Sequence, residues 1–441
     1  MDKFTELRGQ YPTFIYRGFD ITNEGFSFDF SIGEFSFRPK LMYTRPELAR
    51  FNDSPLVRYI VFCIGMVELV SYWKCACPPR VIVQCGALSE EQTLWWKRLY
   101  WGGLGEFFYR NGIKTDFDSF MTIECENKSV PRFTDVWAGE RRGAVIPVGG
   151  GKDSVVTLEL LRDMREDNLC YIINPRPTTV DCAHTAGYSD ESIVGFTRRI
   201  DPELLRRNAD GWLNGHTPFS AVVAFTSYLA AVVTGRKYIA LSNESSANEG
   251  NVSGSDVNHQ YSKSTAFERD FRDFCAKWLL PCPGYFSLLR PWTEWQIAKR
   301  FVQYPQYFPV FKSCNLGSKS KEWAWCCDCA KCLYVYILLA AFLDDSTLVS
   351  IFGADMLDEP KHRELFRALE DPGQDKPFEC VGTRTEIQLA LYHAAERRRG
   401  GKMPVLLEEY MREEHGKPAE LDGYFDSDNF VPEELIGLLR K

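Results

Sequence analysis

The chain has 441 residues, of which 45% are hydrophobic, and a formal net charge of −8. This length allows two or three domains with apolar cores, and the acidic balance argues against nucleic-acid binding, which normally needs a strongly basic surface. The 15 cysteines are an odd number in a chain too large for a disulfide-stapled scaffold, and the first ten residues contain no apolar signal segment. We therefore expect a reduced, cytoplasmic protein.

The N-terminal part, residues 1–140, is predicted to be a β-rich α+β domain. Residues 11–43 alternate aromatic and polar side chains, which is typical of strands. Helices are predicted near residues 56–74 and 89–101, on either side of a strand at residues 80–86.

Two long apolar stretches, residues 59–73 and 218–235, raise the question of membrane insertion. The first contains Glu68, and the second is short and contains Thr226 and Ser227. Since a membrane-spanning helix needs about 20 predominantly apolar residues, we interpret both as buried helices and predict no membrane insertion.

Residues 141–345 repeat the order strand, turn, helix, strand. The apolar run "AVIPV" precedes a glycine turn and a helical pattern, and "LCYIINPRP" and "KYIALSNES" contain the next predicted strands. This alternation is typical of an α/β domain with a doubly wound parallel sheet, whose ligands bind at the carboxyl ends of the strands. Residues 346–441 are charged and helical in pattern, and we predict a helical C-terminal extension.

The glycine turn has the sequence GGGKDS, formed by Gly149, Gly150, Gly151, Lys152, Asp153 and Ser154. Adjacent glycines let backbone N–H groups approach an oxyanion, and the start of the following helix adds its positive end to the same anion. Lys152 adds charge, the Ser154 hydroxyl can donate, and Asp153 can hold a magnesium ion that bridges phosphate oxygens. The alternative is a tight strand–helix turn in which Asp153 or Ser154 caps the helix.

This turn resembles the S-G-G-x-D-S loop of the PP-loop ATP-pyrophosphatase superfamily, with Gly149 in place of the serine. The resemblance implies an α/β fold of the PP-loop (HUP-like) type and an enzyme that splits ATP into AMP and pyrophosphate. On this interpretation ATP is held by the whole turn and by side chains at the strand ends: Asn174, Ser242, Asn243 and Glu244.

Four further stretches collect polar side chains after the glycine turn: "NGHTPFSA", "SNESSANEGN", "VNHQYSKS" and "YFSLLRPWTEWQIAK". They supply candidate acid–base groups and candidate contacts to carboxylates or phosphates. A single histidine is more often a structural residue, but these stretches fall within one predicted α/β unit. The candidate acid–base residues are His216, His259, Lys263 and Glu249; the candidate substrate contacts are Asn214, Thr217, Tyr261 and Arg290.

A cysteine cluster follows, formed by Cys314, Cys326, Cys329 and Cys332. Four thiolates at this spacing suit a tetrahedral zinc ion, and a closed four-sulfur shell is typical of a structural site. An iron–sulfur cluster and unligated buried cysteines are the alternatives. Cys327 interrupts the motif and is placed outside the metal shell.

Taken together, these motifs resemble the UDP-N-acetylmuramoyl-L-alanyl-L-glutamate epimerase family. The similarity runs from "IGMVELVSYWK" through "PVGGGKDSVVTLELL", "NGHTPFSA", "LSNESSANEGNV" and "NHQYSKS" to "KPFECVGT", over about residues 55–385. It implies ATP- and magnesium-dependent inversion of the terminal L-glutamate of a UDP-linked muramoyl dipeptide, in peptidoglycan precursor synthesis.

The residues are compatible with that chemistry. Converting a carboxylate into an acyl adenylate makes the neighbouring C–H bond acidic enough for a side-chain base. Histidine suits both directions of proton transfer, which favours His216 and His259. A cysteine pair is the other option, and outside the metal motif only Cys380 lies in a polar cluster.

Two other functions fit parts of the sequence. A deazaguanine nitrile synthase also combines such a glycine loop with a four-cysteine site, and a non-catalytic nucleotide-binding protein could retain the loop alone. The sequence does not indicate an oligomeric state.

Overall fold

The computed structural model describes residues 2–248, 261–314, 316–317, 324–413 and 415–440. Within these ranges eleven strands join in one mixed sheet. The strands are β1 (Thr13–Thr22), β2 (Gly25–Ile32), β3 (Phe35–Phe37), β4 (Lys40–Tyr43), β5 (Arg80–Val83), β6 (Thr122–Cys125), β7 (Ala144–Pro147), β8 (Leu169–Ile173), β9 (Ile193–Arg199), β10 (Tyr238–Leu241) and β11 (Gly284–Ser287).

The helices include every one that the sequence predicts. Several begin at a side-chain cap, as at Ser89, Thr293 and Thr383, where a capping box satisfies the first N–H groups. They are α1 (Lys3–Gln10), α2 (Pro55–Trp73), α3 (Glu90–Gly103), α4 (Gly105–Arg110), α5 (Lys152–Leu160), α6 (Pro177–Thr185), α7 (Pro202–Ala209), α8 (Phe219–Thr234), α9 (Thr265–Trp278), α10 (Glu294–Phe301), α11 (Ala330–Ala340), α12 (Asp345–Phe352), α13 (Arg363–Glu370), α14 (Arg384–Arg397), α15 (Val405–Met411) and α16 (Glu433–Leu439).

The strand order is β11-β10-β7-β8-β9-β4-β2-β1-β5-β6, with β3 paired to β2. The five strands from β11 to β9 are parallel, as predicted. The sheet does not end there, because β4 pairs antiparallel with β9 and carries the N-terminal strands into the same sheet. The chain therefore has an α/β fold with a mixed sheet, and the domain boundaries at 140 and 345 stay a prediction.

Successive residues of the parallel strands face two different cores. In β8, Tyr171 packs into one apolar cluster with α2 and α8, whereas Cys170 and Ile172 pack into the other with α5 and α11. Because strand side chains alternate between the two faces of a sheet, this division places helices on both faces. The parallel part is thus doubly wound.

Helices α2 and α8 are interior helices, as predicted. Within the described residues α2 is long and apolar enough to cross a membrane, but 94% of its apolar window is buried inside the protein. Its single carboxylate, Glu68, is fully buried and pairs with Arg198 of β9 at 2.7 Å. This contact ties α2 to the sheet.

The order of the parallel strands places a binding site beside β7. The chain runs outward from β7 to β8 and β9, then returns to place β10 on the other side of β7. Ligands of doubly wound sheets bind at such a switch point, at the carboxyl ends of the strands. The glycine turn follows β7 at this point.

Candidate active site

The glycine turn connects β7 to α5, and one of its residues adopts a backbone conformation that favours glycine. Gly150 has a φ of +80°, a conformation that favours glycine. At Gly151 a Cβ atom would lie 2.7 Å from the Ser313 hydroxyl, whereas at Gly149 it would meet no atom within 4 Å. The first position can therefore accept a side chain, whereas a side chain at Gly150 would strain the backbone and one at Gly151 would displace the Ser313 hydroxyl.

The turn leaves backbone donors available. Among the described residues, the N–H groups of Gly149, Gly150 and Gly151 donate to no backbone or side-chain acceptor. Helix α5 begins at Lys152, and the Ser154 hydroxyl donates to the Gly151 carbonyl at 2.9 Å. N–H groups at a glycine turn and at a helix start form a ready site for an oxyanion.

A cavity of about 470 Å³ lies in front of this turn, at the ends of β7, β8 and β10. Although the chain is acidic overall, four basic side chains line the cavity: Arg176, Lys263, Lys312 and Lys331. Most of the predicted ATP-binding residues also line it: Gly149, Gly151, Asp153, Ser154, Asn174, Ser242, Asn243 and Glu244. A basic cavity with free backbone donors suits a polyphosphate.

Three carboxylates lie close together at the cavity wall. Oxygen atoms of Asp153, Glu244 and Glu294 all lie within 4.8 Å of one another. The buried Lys152 ammonium pairs with Asp153 and Glu294, so its charge serves the carboxylates, although the sequence suggests a phosphate contact. Burial opposes ionisation of Asp153, but Lys152 outweighs it and the pKa of Asp153 is lowered.

The other two carboxylates hold their protons more tightly. Burial raises the pKa of Glu294 to about 7 despite the nearby Lys152, and burial also raises the pKa of Glu244. Asp153 and Glu244 line the cavity, and carboxylate oxygens are the ligands that magnesium prefers. These two side chains therefore fit a magnesium ion; that Asp153 holds one beside a phosphate stays a prediction.

The polar residues at the strand ends differ in what they contact. Asn174 adopts a φ of 53°, and its side-chain oxygen accepts from the Arg198 N–H at 2.7 Å. The Asn243 amide donates to the Ser287 hydroxyl at 3.0 Å. The hydroxyl of Ser242 is buried and has no hydrogen-bond partner among the described residues, so it is available to a ligand.

Of the two predicted acid–base residues that the structure describes, Lys263 and His216, only Lys263 lines the cavity. It ends a 3-10 helix, Tyr261–Lys263. Its ammonium lies 3.0 Å from the sulfur of Cys380, which lines the cavity as well.

His216 lies to the side of the cavity rather than in its described lining. Its Nδ1 atom is 3.7 Å from a Glu106 carboxylate oxygen on α4. Thr217 contacts Ser71 of α2 at 3.5 Å, and the Asn214 carbonyl accepts from Asn111 at 3.1 Å. These three residues form a neighbouring polar patch against the N-terminal helices.

Tyr261 and Arg290, two predicted substrate contacts, support the fold. The Tyr261 ring packs against Gly102 of α3, where a Cβ atom would lie 2.8 Å from it. Arg290 is fully buried and binds the carbonyl oxygens of Glu244 and Lys263. Arg290 therefore positions two residues of the cavity wall. The predicted catalytic residues His259 and Glu249 lie outside the described residues.

The four cysteines of the predicted zinc site come together. Their sulfur atoms all lie within 4.8 Å of one another, with 3.5 Å between Cys329 and Cys332 and 3.7 Å between Cys326 and Cys332. Sulfurs about 2.3 Å from a tetrahedral zinc ion lie about 3.8 Å apart, so the cluster fits zinc. The Cys327 sulfur instead donates to the Phe352 carbonyl at 3.2 Å.

The cysteine cluster is joined to the cavity. Preceding Cys314, the Lys312 N–H donates to the Gly150 carbonyl at 2.8 Å, which places Lys312 and Ser313 against the glycine turn. Lys331, one residue before Cys332, binds the Cys380 carbonyl with its ammonium. A metal bound to these cysteines would therefore fix two sides of the cavity wall.

Several residues of the site were not predicted from the sequence: Arg176, Glu294, Lys312, Lys331 and Glu386. Glu386 lies in the first turn of α14 and accepts the Glu294 N–H at 2.7 Å, so the C-terminal helices contribute to the site. No motif marks these residues. The sequence did indicate one residue of this C-terminal part of the site, Cys380, because it lies in a polar stretch.

Two domain models of one protein family match this chain, one in its N-terminal part and one in its C-terminal part. Residues 5–288 match the MurL N-terminal domain and residues 310–422 match the MurL C-terminal domain. No solved structure matches the chain.

Three curated relatives carry the name UDP-N-acetyl-alpha-D-muramoyl-L-alanyl-L-glutamate epimerase. The protein from Xanthomonas oryzae pv. oryzae is 33% identical over 352 residues, 78% of this chain and 76% of the relative. The Micromonospora protein is 35% identical over 347 residues, again 78% and 76% of the two chains. The Salinispora tropica protein is 30% identical over 415 residues, 92% and 88% of the two chains.

Proposed function

The chain belongs to the MurL family and is an epimerase, and from this premise we propose that it inverts the terminal L-glutamate of UDP-N-acetylmuramoyl-L-alanyl-L-glutamate to D-glutamate. This reaction would supply a peptidoglycan precursor in the cytoplasm. The substrate is the one that the names of all three relatives state.

We further propose that the enzyme activates the glutamate with ATP. A carboxylate makes the neighbouring C–H bond very weakly acidic, because removing that proton creates a dianion. In the proposed reaction a carboxylate oxygen attacks the α-phosphorus of ATP and pyrophosphate leaves. The resulting acyl adenylate is neutral at the carboxyl carbon, so the negative charge left after loss of the α-proton can move onto its carbonyl oxygen. Water then releases AMP and the inverted glutamate.

The observation that carries this proposal is the glycine turn facing a basic cavity. Its free N–H groups and the start of α5 suit the phosphates of ATP, and Lys312 and Arg176 line the same cavity. Asp153 and Glu244 would hold the magnesium ion, which supplies charge neutralisation at the phosphates when bound. A fold of the PP-loop type belongs to this proposal, as does a structural zinc ion on the four cysteines.

The alternatives are less favoured. A deazaguanine nitrile synthase would not account for matches to both domains of one epimerase family. A non-catalytic nucleotide-binding protein has no need of a buried cluster such as Asp153, Glu244 and Glu294 beside the nucleotide cavity.

Incubation with UDP-N-acetylmuramoyl-L-alanyl-L-glutamate, ATP and magnesium in deuterated water tests the proposal. We expect D-glutamate in the product, deuterium at its α-carbon, and release of one AMP and one pyrophosphate per turnover. The control is Asp153→Asn, which should fold normally but release no pyrophosphate. Inversion that proceeds at full rate without ATP would refute the activation step.

A further inference from the structure

A lysine–cysteine pair lies in the cavity wall and has no part in the ATP-binding role proposed above. The Lys263 ammonium lies 3.0 Å from the Cys380 sulfur, and both residues line the same cavity as Asp153 and the glycine turn. The two residues are separated by 117 positions in the sequence. The fold therefore brings together a cation and a thiol at the place where a substrate would meet ATP.

The backbone of each member of the pair is held by a basic side chain from elsewhere in the chain. The buried Arg290 side chain binds the Lys263 carbonyl, and the Lys331 ammonium binds the Cys380 carbonyl. The segment around Cys380 is further fixed by Lys376, whose buried ammonium donates to the Gly382 carbonyl at 2.8 Å. The sulfur thus has a defined position relative to the cavity.

The surroundings of Lys263 favour the charged ammonium. Burial opposes its charge, but Cys380 and Glu244 outweigh this effect, so the pKa of Lys263 is raised. A permanent cation at hydrogen-bond distance stabilises a thiolate over a thiol. A thiolate is a base that can take a proton from carbon.

The remaining described groups of the cavity are less suited to that task. Asp153 and Glu244 are the fitted magnesium ligands, and Cys314 belongs to the zinc cluster. Arg176, Lys312 and Lys331 are basic side chains, which suit phosphate binding rather than proton abstraction. Among the described lining residues this leaves the Cys380 sulfur as the base.

We propose that Cys380 is a catalytic residue that exchanges the α-proton on one face of the glutamate, and that Lys263 is a positioning residue that keeps its sulfur as a thiolate. The inference rests on the proposed epimerase function. In the forward step the Cα–H bond breaks and an S–H bond forms at Cys380. The electron pair of the Cα–H bond moves to the carbonyl oxygen of the acyl adenylate, giving an enolate. A water O–H bond then breaks as the new Cα–H bond forms on the opposite face, and the hydroxide that remains takes the proton from the Cys380 sulfur, which restores the thiolate.

The test separates activation from proton exchange. ATP–pyrophosphate exchange that depends on the dipeptide substrate reports adenylation, and deuterium at the α-carbon in deuterated water reports loss of the proton. In Cys380→Ala and Cys380→Ser we expect deuterium incorporation and inversion to fall by about 10²–10⁴-fold, the usual contribution of a general base. ATP–pyrophosphate exchange should stay within a few-fold of the wild-type rate.

Lys263 is tested by a conservative and a non-conservative change. Lys263→Met should lose deuterium incorporation, while Lys263→Arg should restore a substantial part of it, because arginine keeps the cation beside the sulfur. Cys85→Ala is the matched control: this half-buried cysteine follows β5, its sulfur donates to the Tyr16 carbonyl, and it is not among the described residues that line the cavity. It should leave both readouts unchanged.

The serine variant keeps the size of the side chain, so it folds even if alanine loosens the wall. Deuterium incorporation at the wild-type rate in Cys380→Ser would overturn the proposal, and so would an equal loss of ATP–pyrophosphate exchange, which would place Cys380 in activation instead. If the wild-type protein shows neither ATP–pyrophosphate exchange nor deuterium incorporation, the proposed function fails as a whole. The wild type alone therefore distinguishes that failure from a failure of the Cys380 proposal.

Discussion

The adjacent glycines in the turn after β7 differ in how much space an added Cβ atom would find. At Gly149 an added Cβ meets open space, whereas Gly150 has a φ of +80° and its Cβ would lie 3.2 Å from the Thr178 carbonyl oxygen. A left-handed conformation costs a non-glycine residue about 1–2 kcal/mol. Gly149 and Gly150 therefore differ in how well they tolerate a side chain.

We predict that Gly149→Ser leaves the melting temperature and the KM for ATP close to their wild-type values. Gly150→Ala should lower the free energy of unfolding by about 1–2 kcal/mol because of the strained backbone, and should raise the KM for ATP. Thermal melts and ATP titrations of the two variants check this. Equal losses in both variants would contradict the assigned backbone geometry.

Glu386 gives a residue-scale prediction about pH. Burial, assisted by the nearby Glu294, raises the pKa of Glu386 from 4.5 to about 7. The folded chain therefore binds this proton more tightly than the unfolded chain does. Its contribution to stability is complete below pH 4.5 and is lost as the pH rises through about 7, up to about 3 kcal/mol.

We expect Glu386→Gln to flatten this pH dependence, because the amide keeps an acceptor for the Glu294 N–H but does not titrate. Urea unfolding between pH 5 and 8 measures the effect. Glu90→Gln, at an exposed carboxylate that begins α3, is the control and should keep the wild-type slope. An unchanged slope in Glu386→Gln would show that this carboxyl does not hold its proton in the folded state.

Among the elements, the segment that carries Cys314, Cys326, Cys329 and Cys332 adjoins the cavity wall, and these four cysteines are a candidate zinc site. We predict one zinc ion per chain, and removal of this ion by a chelator should lower both the melting temperature and the ATP-dependent activity. The physical reason is that Lys312 and Lys331, close in sequence to the ligands, would lose their positions on the cavity wall.

Cysteine variants make the zinc prediction specific. Cys326→Ser should bind less zinc and melt at a lower temperature, whereas Cys327→Ser should keep its zinc, because that sulfur contacts the Phe352 carbonyl. Elemental analysis and thermal melts give both readouts. Protein purified without chelators that contains iron, or no metal, would contradict the assignment.

Helix α2 and strand β9 are joined by the buried pair of Glu68 and Arg198. Removing one partner of such a pair leaves an uncompensated buried charge, which costs about 3–5 kcal/mol. We therefore expect Glu68→Leu to destabilise the protein by this amount, measured by chemical unfolding. The double variant Glu68→Leu/Arg198→Leu should recover most of the loss; a double variant as unstable as the single one would indicate that packing, not charge, dominates there.

The elements themselves were largely predictable, since their patterns are local. The strands around residues 11–43, the strand–turn–helix order at the glycine turn and the apolar helix α8 are confirmed in the structure. Strands β6, β9 and β11 were missed. β6 and β11 have only 4 residues each, and the first four residues of β9 are all buried, so none of the three shows a long alternation of apolar and polar side chains.

At the scale of the whole molecule, the continuity of the sheet could not be predicted. It depends on the pairing of Lys40 with Arg199 and of Tyr43 with Phe196, which joins segments distant in the sequence and leaves no local pattern. The same limit applies to the site. The glycine turn and the cysteines form recognisable motifs, but the contacts of Lys263 with Cys380 and of Glu294 with Glu386 exist only once the C-terminal helices have packed against α10 and α11.

The most direct test of ATP-dependent activation follows the oxygen atoms of the substrate. The terminal glutamate is prepared with ¹⁸O in its α-carboxylate and converted by the enzyme with ATP and magnesium in ordinary water. If the carboxylate is adenylated, one ¹⁸O atom per turnover will appear in the phosphate of AMP. AMP without ¹⁸O from a fully active enzyme would contradict an adenylate and the role assigned to the glycine turn.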